Sequence, residues 1–143
     1  LENSPITTIA FAQGGDHIGG YDGKIKCKRK AMNSFICSID KPFKFIGRIN
    51  EDVNTYVHLG GLGYIFLTDM NVKLDQLDTQ TNAGGMTDLY VDSGTYVKSF
   101  YSVMTSPSCV KVKAMGVNSM RLHHSISWEN AVPCIVREEY KKK

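Results

Sequence analysis

The stretch Gly47-Arg48-Ile49-Asn50-Glu51-Asp52-Val53-Asn54-Thr55-Tyr56 sets two adjacent carboxylates at the predicted start of a helix, directly behind the apolar run Phe43 to Ile49. Asn50 is a good N-cap residue, and acids in the first turn suit the positive end of the helix dipole. Val53, Tyr56, Val57 and Leu59 follow at helical spacing, and Gly60 and Gly61 stop the pattern near Leu59. Two readings of the acids stand side by side. They cap a helix, or they present a carboxylate pair to a site.

Around this helix the chain breaks into short apolar runs. Ile6 to Ala12 predicts a buried strand, and the stretch Gln13 to Gly23 that follows is too rich in glycine for a helix or a central strand. Such a loop lets backbone approach a ligand closely, with Asp16 and His17 within it, or is a plain flexible connection. It has neither the Gly-Lys-Ser/Thr ending of a Walker loop nor the spacing of a dinucleotide fingerprint. Ala31 to Ser38 fits a strand or a short helix, and Pro42 breaks it. Phe43, Phe45 and Ile49 alternate as on a strand edge.

After the central helix, Tyr64 to Leu67 predicts a short strand, Val72 to Leu77 alternates weakly, and Thr79 to Asp88 reads as a surface loop. A second helix is predicted over Ser93 to Met104, with Ser93 as cap and Pro107 beyond its end. Val110 to Met115 and Met120 to Ile126 alternate around Gly116, the pattern of a hairpin, and Trp128 to Val132 opens a last helical turn. The order is mixed α and β.

A chain of 143 residues is one domain, 1–143, with enough length for a real core, and its 42% apolar and 22% charged residues are those of a globular protein. No apolar run approaches the roughly 18–20 residues of a membrane span. The start, Leu1 to Pro5, has no initiator methionine and no signal-peptide pattern, which points to a processed or truncated piece. Cys27, Cys37, Cys109 and Cys134 are widely spaced and form no Cys-x-x-Cys pair, so free cytosolic thiols are expected rather than a zinc or redox motif. The net charge of +3 is unevenly spread. Lys24, Lys26, Lys28, Arg29 and Lys30 form a basic stripe, read either as a phosphate-binding track or as a solvated face; Lys141 to Lys143 read as a solvated end.

Several stretches taken together resemble a known family. They are Ile9 to His17, Lys28 to Asn33, Gly47 to Tyr56, Gly84 to Asp88, Asp92 to Tyr101 and Arg121 to His124. In this order they are similar to the phage TET-associated DNA glycosyltransferases, and more broadly to the C-terminal half of GT-A glycosyltransferases. The resemblance spans nearly the whole chain. Each motif is weak, and their order and number make the resemblance specific.

The resemblance implies an α/β, GT-A-like mixed sheet with flanking helices, lacking the N-terminal nucleotide-binding half. It implies transfer of a sugar from a nucleotide-sugar donor to a hydroxymethylpyrimidine in phage DNA, in the cytoplasm of an infected bacterial host. A hydroxymethyl group is a poor nucleophile at neutral pH and needs a positioned base. Asp52 or Glu51 is the candidate, since a helix N-terminus favours the carboxylate form. Asn50, Arg48, Asp16, His17, Arg29 and Lys30 are the candidate substrate-binding residues, with Arg48 and the basic stripe set to meet phosphates. A GT-A site also implies a divalent metal, Mn or Mg, and His123 and His124 are its candidate ligands. On a strand those two point to opposite faces, so one of them at most is expected in the site. The Asp-x-Asp motif that usually holds this metal is absent from the expected place. That departure sustains a second reading, a non-catalytic DNA- or protein-binding module derived from the same fold. A third reading, a nuclease, has little support, because no acids group with a lysine at nuclease-like spacing. Oligomeric state is not legible.

Overall fold

The computed structural model describes residues 1–17, 23–31, 34–75, 86–94, 96–116, 120–131 and 138. The parts of the glycine-rich stretch at 18–22, most of the 79–88 loop, Met32, Asn33, Cys134 and the basic tail lie outside the described residues.

The chain is mixed α/β, with a mixed sheet and flanking helices. Strand β1 (Ile6–Gln13) runs into a single 3-10 turn, Gly14–His17. Strands β2 (Ile25–Lys26) and β3 (Phe35–Cys37) precede helix α1 (Glu51–Gly61). Strand β4 (Ile65–Leu74) is followed by helices α2 (Thr87–Ser93) and α3 (Tyr96–Thr105). Strands β5 (Val110–Met115) and β6 (Arg121–Ile126) and the short helix α4 (Trp128–Ala131) complete it. The four-stranded sheet has the order β2-β4-β1-β3, with β1 and β4 parallel and both outer strands antiparallel.

Thr8, Ala10 and Ala12 of β1 alternate inward, as the period of two requires, and Phe66, Thr68 and Met70 of β4 do the same. Ala10 and Phe66 meet Tyr56 of α1 and Ala31, and Tyr56 packs edge-on to Phe66 with ring centroids 4.8 Å apart. A second cluster joins Val53 and Val57 of α1 to Val110 of β5 and Ala131 of α4. Helix α1 therefore contributes to both cores. The opposite face of the sheet is barer: Ile36, the partner of Ile9 across β1 and β3, and the nearby Ile39 are exposed.

Four local expectations differ from the fold. The segment Phe43 to Ile49 is not a strand, because helix side chains take its backbone groups: Ile46 N donates to Thr55 Oγ1 at 2.8 Å, and Asn54 Nδ2 donates to Ile49 O at 2.9 Å. Ser93 does not cap the second helix; it closes α2, and Gly94, at φ 76°, breaks the chain before α3 begins at Tyr96. The strand expected to end at Leu67 continues to Leu74 and absorbs the weak alternation from Val72. Thr87 and Asp88 belong to α2 rather than to a loop. The hairpin lies as expected, with Val112 opposite His124 and Lys113 opposite His123. Cys27, Cys37 and Cys109 are free thiols. Among the described residues no helix is long and apolar enough to cross a membrane.

Candidate functional site

The start of α1 is the centre of the site. Gly47, at φ 86°, lets the preceding loop press against Tyr101 of α3; an added Cβ would stand 2.7 Å from that ring. The loop then delivers Asn50 in the left-handed region, φ 55° and ψ 37°. Asn tolerates this region better than most residues. Asn50 holds the N-cap position, but its side chain makes no cap bond. The left-handed backbone aims the amide across the molecule, where Nδ2 donates to Ser102 Oγ at 2.6 Å and lies 3.5 Å from His124 Nδ1. The expected cap is instead a strut between α1, α3 and β6.

Asp52 follows in the first helical turn. Its Oδ1 accepts from Val53 N at 2.7 Å, and its Oδ2 accepts from Lys30 Nζ at 2.7 Å, in a pair roughly three-quarters buried. Glu51 is exposed. The two acids, equivalent in the sequence, therefore differ: Asp52 is placed and Glu51 faces solvent.

Two adjoining chambers share Lys30, Asn50 and Lys98. The first is lined also by Glu51, Asp52, Tyr56, Phe35, Phe45, Met86 and Tyr90, with a volume of about 640 Å³. It combines carboxylates with aromatic faces. The second is lined also by Arg29, His123, His124, Val53, Met115, Ile126 and Trp128, with a volume of about 450 Å³. It brings five basic side chains together with no carboxylate in its wall.

These chambers shift the groups around them. Burial, and then the charge of Asp52, pushes the Tyr56 hydroxyl up to about 12. Burial, and then Glu51 and Asp52, raises Tyr90. Lys98 is lowered by burial and by the charges of Lys30 and Arg121, with Asp52 opposing; its Nζ stands 5.7 Å above the Tyr90 ring. His124 is pushed down to about 4, chiefly by burial and then by His123, Lys98 and Lys30. Its imidazole is thus neutral at neutral pH, beside cations.

The other candidates divide. Arg29 lines the cation chamber and forms a close ion pair with Asp16, whose other oxygen accepts from Gln13 N at 2.9 Å. Asp16 thus orients Arg29 rather than facing a ligand itself. His17 closes the same 3-10 turn and does not line either chamber. Arg48 is exposed and lines neither. His123 and His124 both line the cation chamber, with ring centroids 4.2 Å apart, where one at most was expected. His123 Nδ1 lies 3.0 Å from His124 O.

As a metal site the described residues are incomplete. No group of three or more His, Cys, Asp or Glu stands together among them, and the imidazole pair is surrounded by lysines. Mg and Mn favour oxygen ligands, carboxylates above all, and this wall holds no carboxylate. Lys98 and Tyr90 were not among the sequence candidates. The available signal was that Lys98 is the one charged residue of an otherwise neutral helix.

No protein-family model, curated protein or solved structure matches the chain.

Proposed function

We propose that this chain is the acceptor-side part of a nucleotide-sugar-dependent glycosyltransferase of GT-A type that acts on hydroxymethylpyrimidine in phage DNA. The observation that carries the reading is the pair of chambers meeting at Lys30, Asn50 and Lys98, one with a placed carboxylate and one with basic side chains and no carboxylate in its wall. A glycosyl transfer needs both, side by side. The aromatic walls at Phe45 and Tyr90 suit a pyrimidine ring. The cation chamber suits the diphosphate that leaves.

In this reading the hydroxymethyl oxygen forms a bond to the anomeric carbon while the bond from that carbon to the donor phosphate oxygen breaks. The electron pair leaves with the nucleoside diphosphate, where Lys98, Lys30 and Arg29 offset the new charge. The hydroxyl proton goes to Asp52. Its two oxygens use one contact each with Lys30 and Val53 N, and a carboxylate has about four acceptor sites, so room for that proton remains. Asn50 and Ser102 hold the helix start in register with the cation chamber. The uncovered sheet face at Ile36 and Ile39 is the kind of surface a nucleotide-binding half would cover.

One observation favours the second reading, a DNA- or protein-binding module: Asp52 is already held by Lys30. Nucleoside mass spectrometry separates the two. Hydroxymethylated duplex DNA is incubated with the protein, pooled nucleotide sugars and manganese, then digested. A hexose adduct that vanishes in Asp52→Asn supports the transferase. No adduct with any donor sinks catalysis by this chain alone and leaves a fragment that needs its other half, or the module.

A further inference from the structure

The hairpin of β5 and β6 carries cations that no carboxylate neutralises. Lys111 and Lys113 are exposed on β5, and the register sets His123 opposite Lys113 and Arg121 opposite Met115. These residues share one face, because paired residues of an antiparallel ladder project to the same side. Helix α3 lies against both strands while Val110 is buried and Lys111 and Lys113 are exposed, so this face is outward at the two lysines and meets the rim of the cation chamber at Met115 and His123. Neither strand contains an acid. Among the described residues Lys111, Lys113 and Arg121 have no ion-pair partner.

The stripe at 24–30 is in a different state. Lys28 pairs with Glu129, Arg29 with Asp16 and Lys30 with Asp52. Much of its charge is neutralised within the protein. Three of the five basic residues in the run are thus paired with carboxylates, while Lys111, Lys113 and Arg121 of the hairpin face none among the described residues.

We propose that the outer face of the β5–β6 hairpin, and not the 24–30 stripe, holds the phosphate backbone of duplex DNA. Alternate residues of a strand stand about 7 Å apart on one face, which spaces Lys111 and Lys113 along a rail. A two-stranded ribbon is narrow enough for the major groove, about 12 Å wide. Met115 and His123 belong to the same face and also line the cation chamber, so DNA on the hairpin reaches the mouth of the site. The proposal rests on the glycosyltransferase reading only for the choice of DNA among polyanions.

The test is fluorescence anisotropy with a labelled, unmodified duplex and no sugar donor, over a KCl series. Lys111→Gln/Lys113→Gln raises Kd about tenfold and lowers the salt slope by about 2, one for each phosphate that is no longer neutralised. Arg121→Gln alone lowers the slope by about 1. Lys24→Gln, on the exposed lysine of the stripe, changes Kd less than about twofold. Circular dichroism and melting of each variant confirm that it is folded. Unchanged affinity and slope in the hairpin variants overturn the proposal. So does a loss carried by Lys24→Gln, or binding to phosphatidylserine vesicles without binding to DNA. Hairpin-dependent binding without any sugar transfer sinks catalysis by this chain alone and leaves this surface standing.

Discussion

The two chambers differ in how their charge is held. In the carboxylate chamber Asp52 is fixed by a backbone amide and a lysine, and the wall is aromatic. In the cation chamber Lys98, His123 and His124 crowd together with no counter-charge in the wall. Burial first, and then the neighbouring cations, shift Lys98 and His124 towards their neutral forms, with Asp52 opposing. In the second chamber, Arg29 and Lys30 are paired with Asp16 and Asp52, whose carboxylates stand outside its wall, while Lys98 and the two imidazoles face one another. In the proposed transferase the carboxylate side positions the neutral nucleophile and the cation side receives the phosphate.

Asp52→Asn is the most severe way to break this division. It keeps the shape and removes the proton acceptor of the proposed transfer, which should fall at least about 100-fold. Glu51→Gln, on the exposed neighbour, should cost less than about threefold, read as the initial rate of hexose adduct formation. Equal losses would dissolve the distinction between the two acids. Gly47→Ala attacks the carboxylate chamber through its supporting loop. The positive φ and the 2.7 Å approach to Tyr101 should lower stability by about 2 kcal/mol or more in urea unfolding.

Lys98→Met addresses the other side. Pyrophosphate affinity measured by calorimetry should drop about tenfold, the effect of removing one charge-assisted hydrogen bond. The smallest effect is the pH response of His124. Its folded value of about 4 lies below the ordinary 6.5, so the fold is penalised when the ring takes up a proton. That stability is complete above pH 6.5 and is lost as pH falls towards 4. The melting temperature should decline by roughly 5 °C across that window, and His124→Gln should flatten the decline.

Much of this was legible in the chain. The helix that bears the acids, the strand at Ile6 and the hairpin follow from apolar period and glycine stops, because those signals are local. Asn50 was legible as a helix boundary but not as a strut, since its role depends on Ser102, 52 residues away. Phe43 to Ile49 alternates like a strand; only the reach of Asn54 and Thr55 from the next helix decides otherwise. The basic stripe misleads for the same reason: its partners Glu129, Asp16 and Asp52 are distant in sequence. Lys98 gave little warning, being a single lysine whose importance comes from the walls around it.

The central claim, that the chamber beside His123 and His124 receives phosphate while the Asp52 side does not, is tested most directly by ring proton–carbon NMR of the four histidines. Inorganic pyrophosphate is titrated in at neutral pH. The account predicts that the His123 and His124 resonances move together and saturate, that exposed His58 stays still, and that Lys98→Met weakens the response. Rings of His123 and His124 that do not move, or a shift confined to His17 or His58, would contradict it.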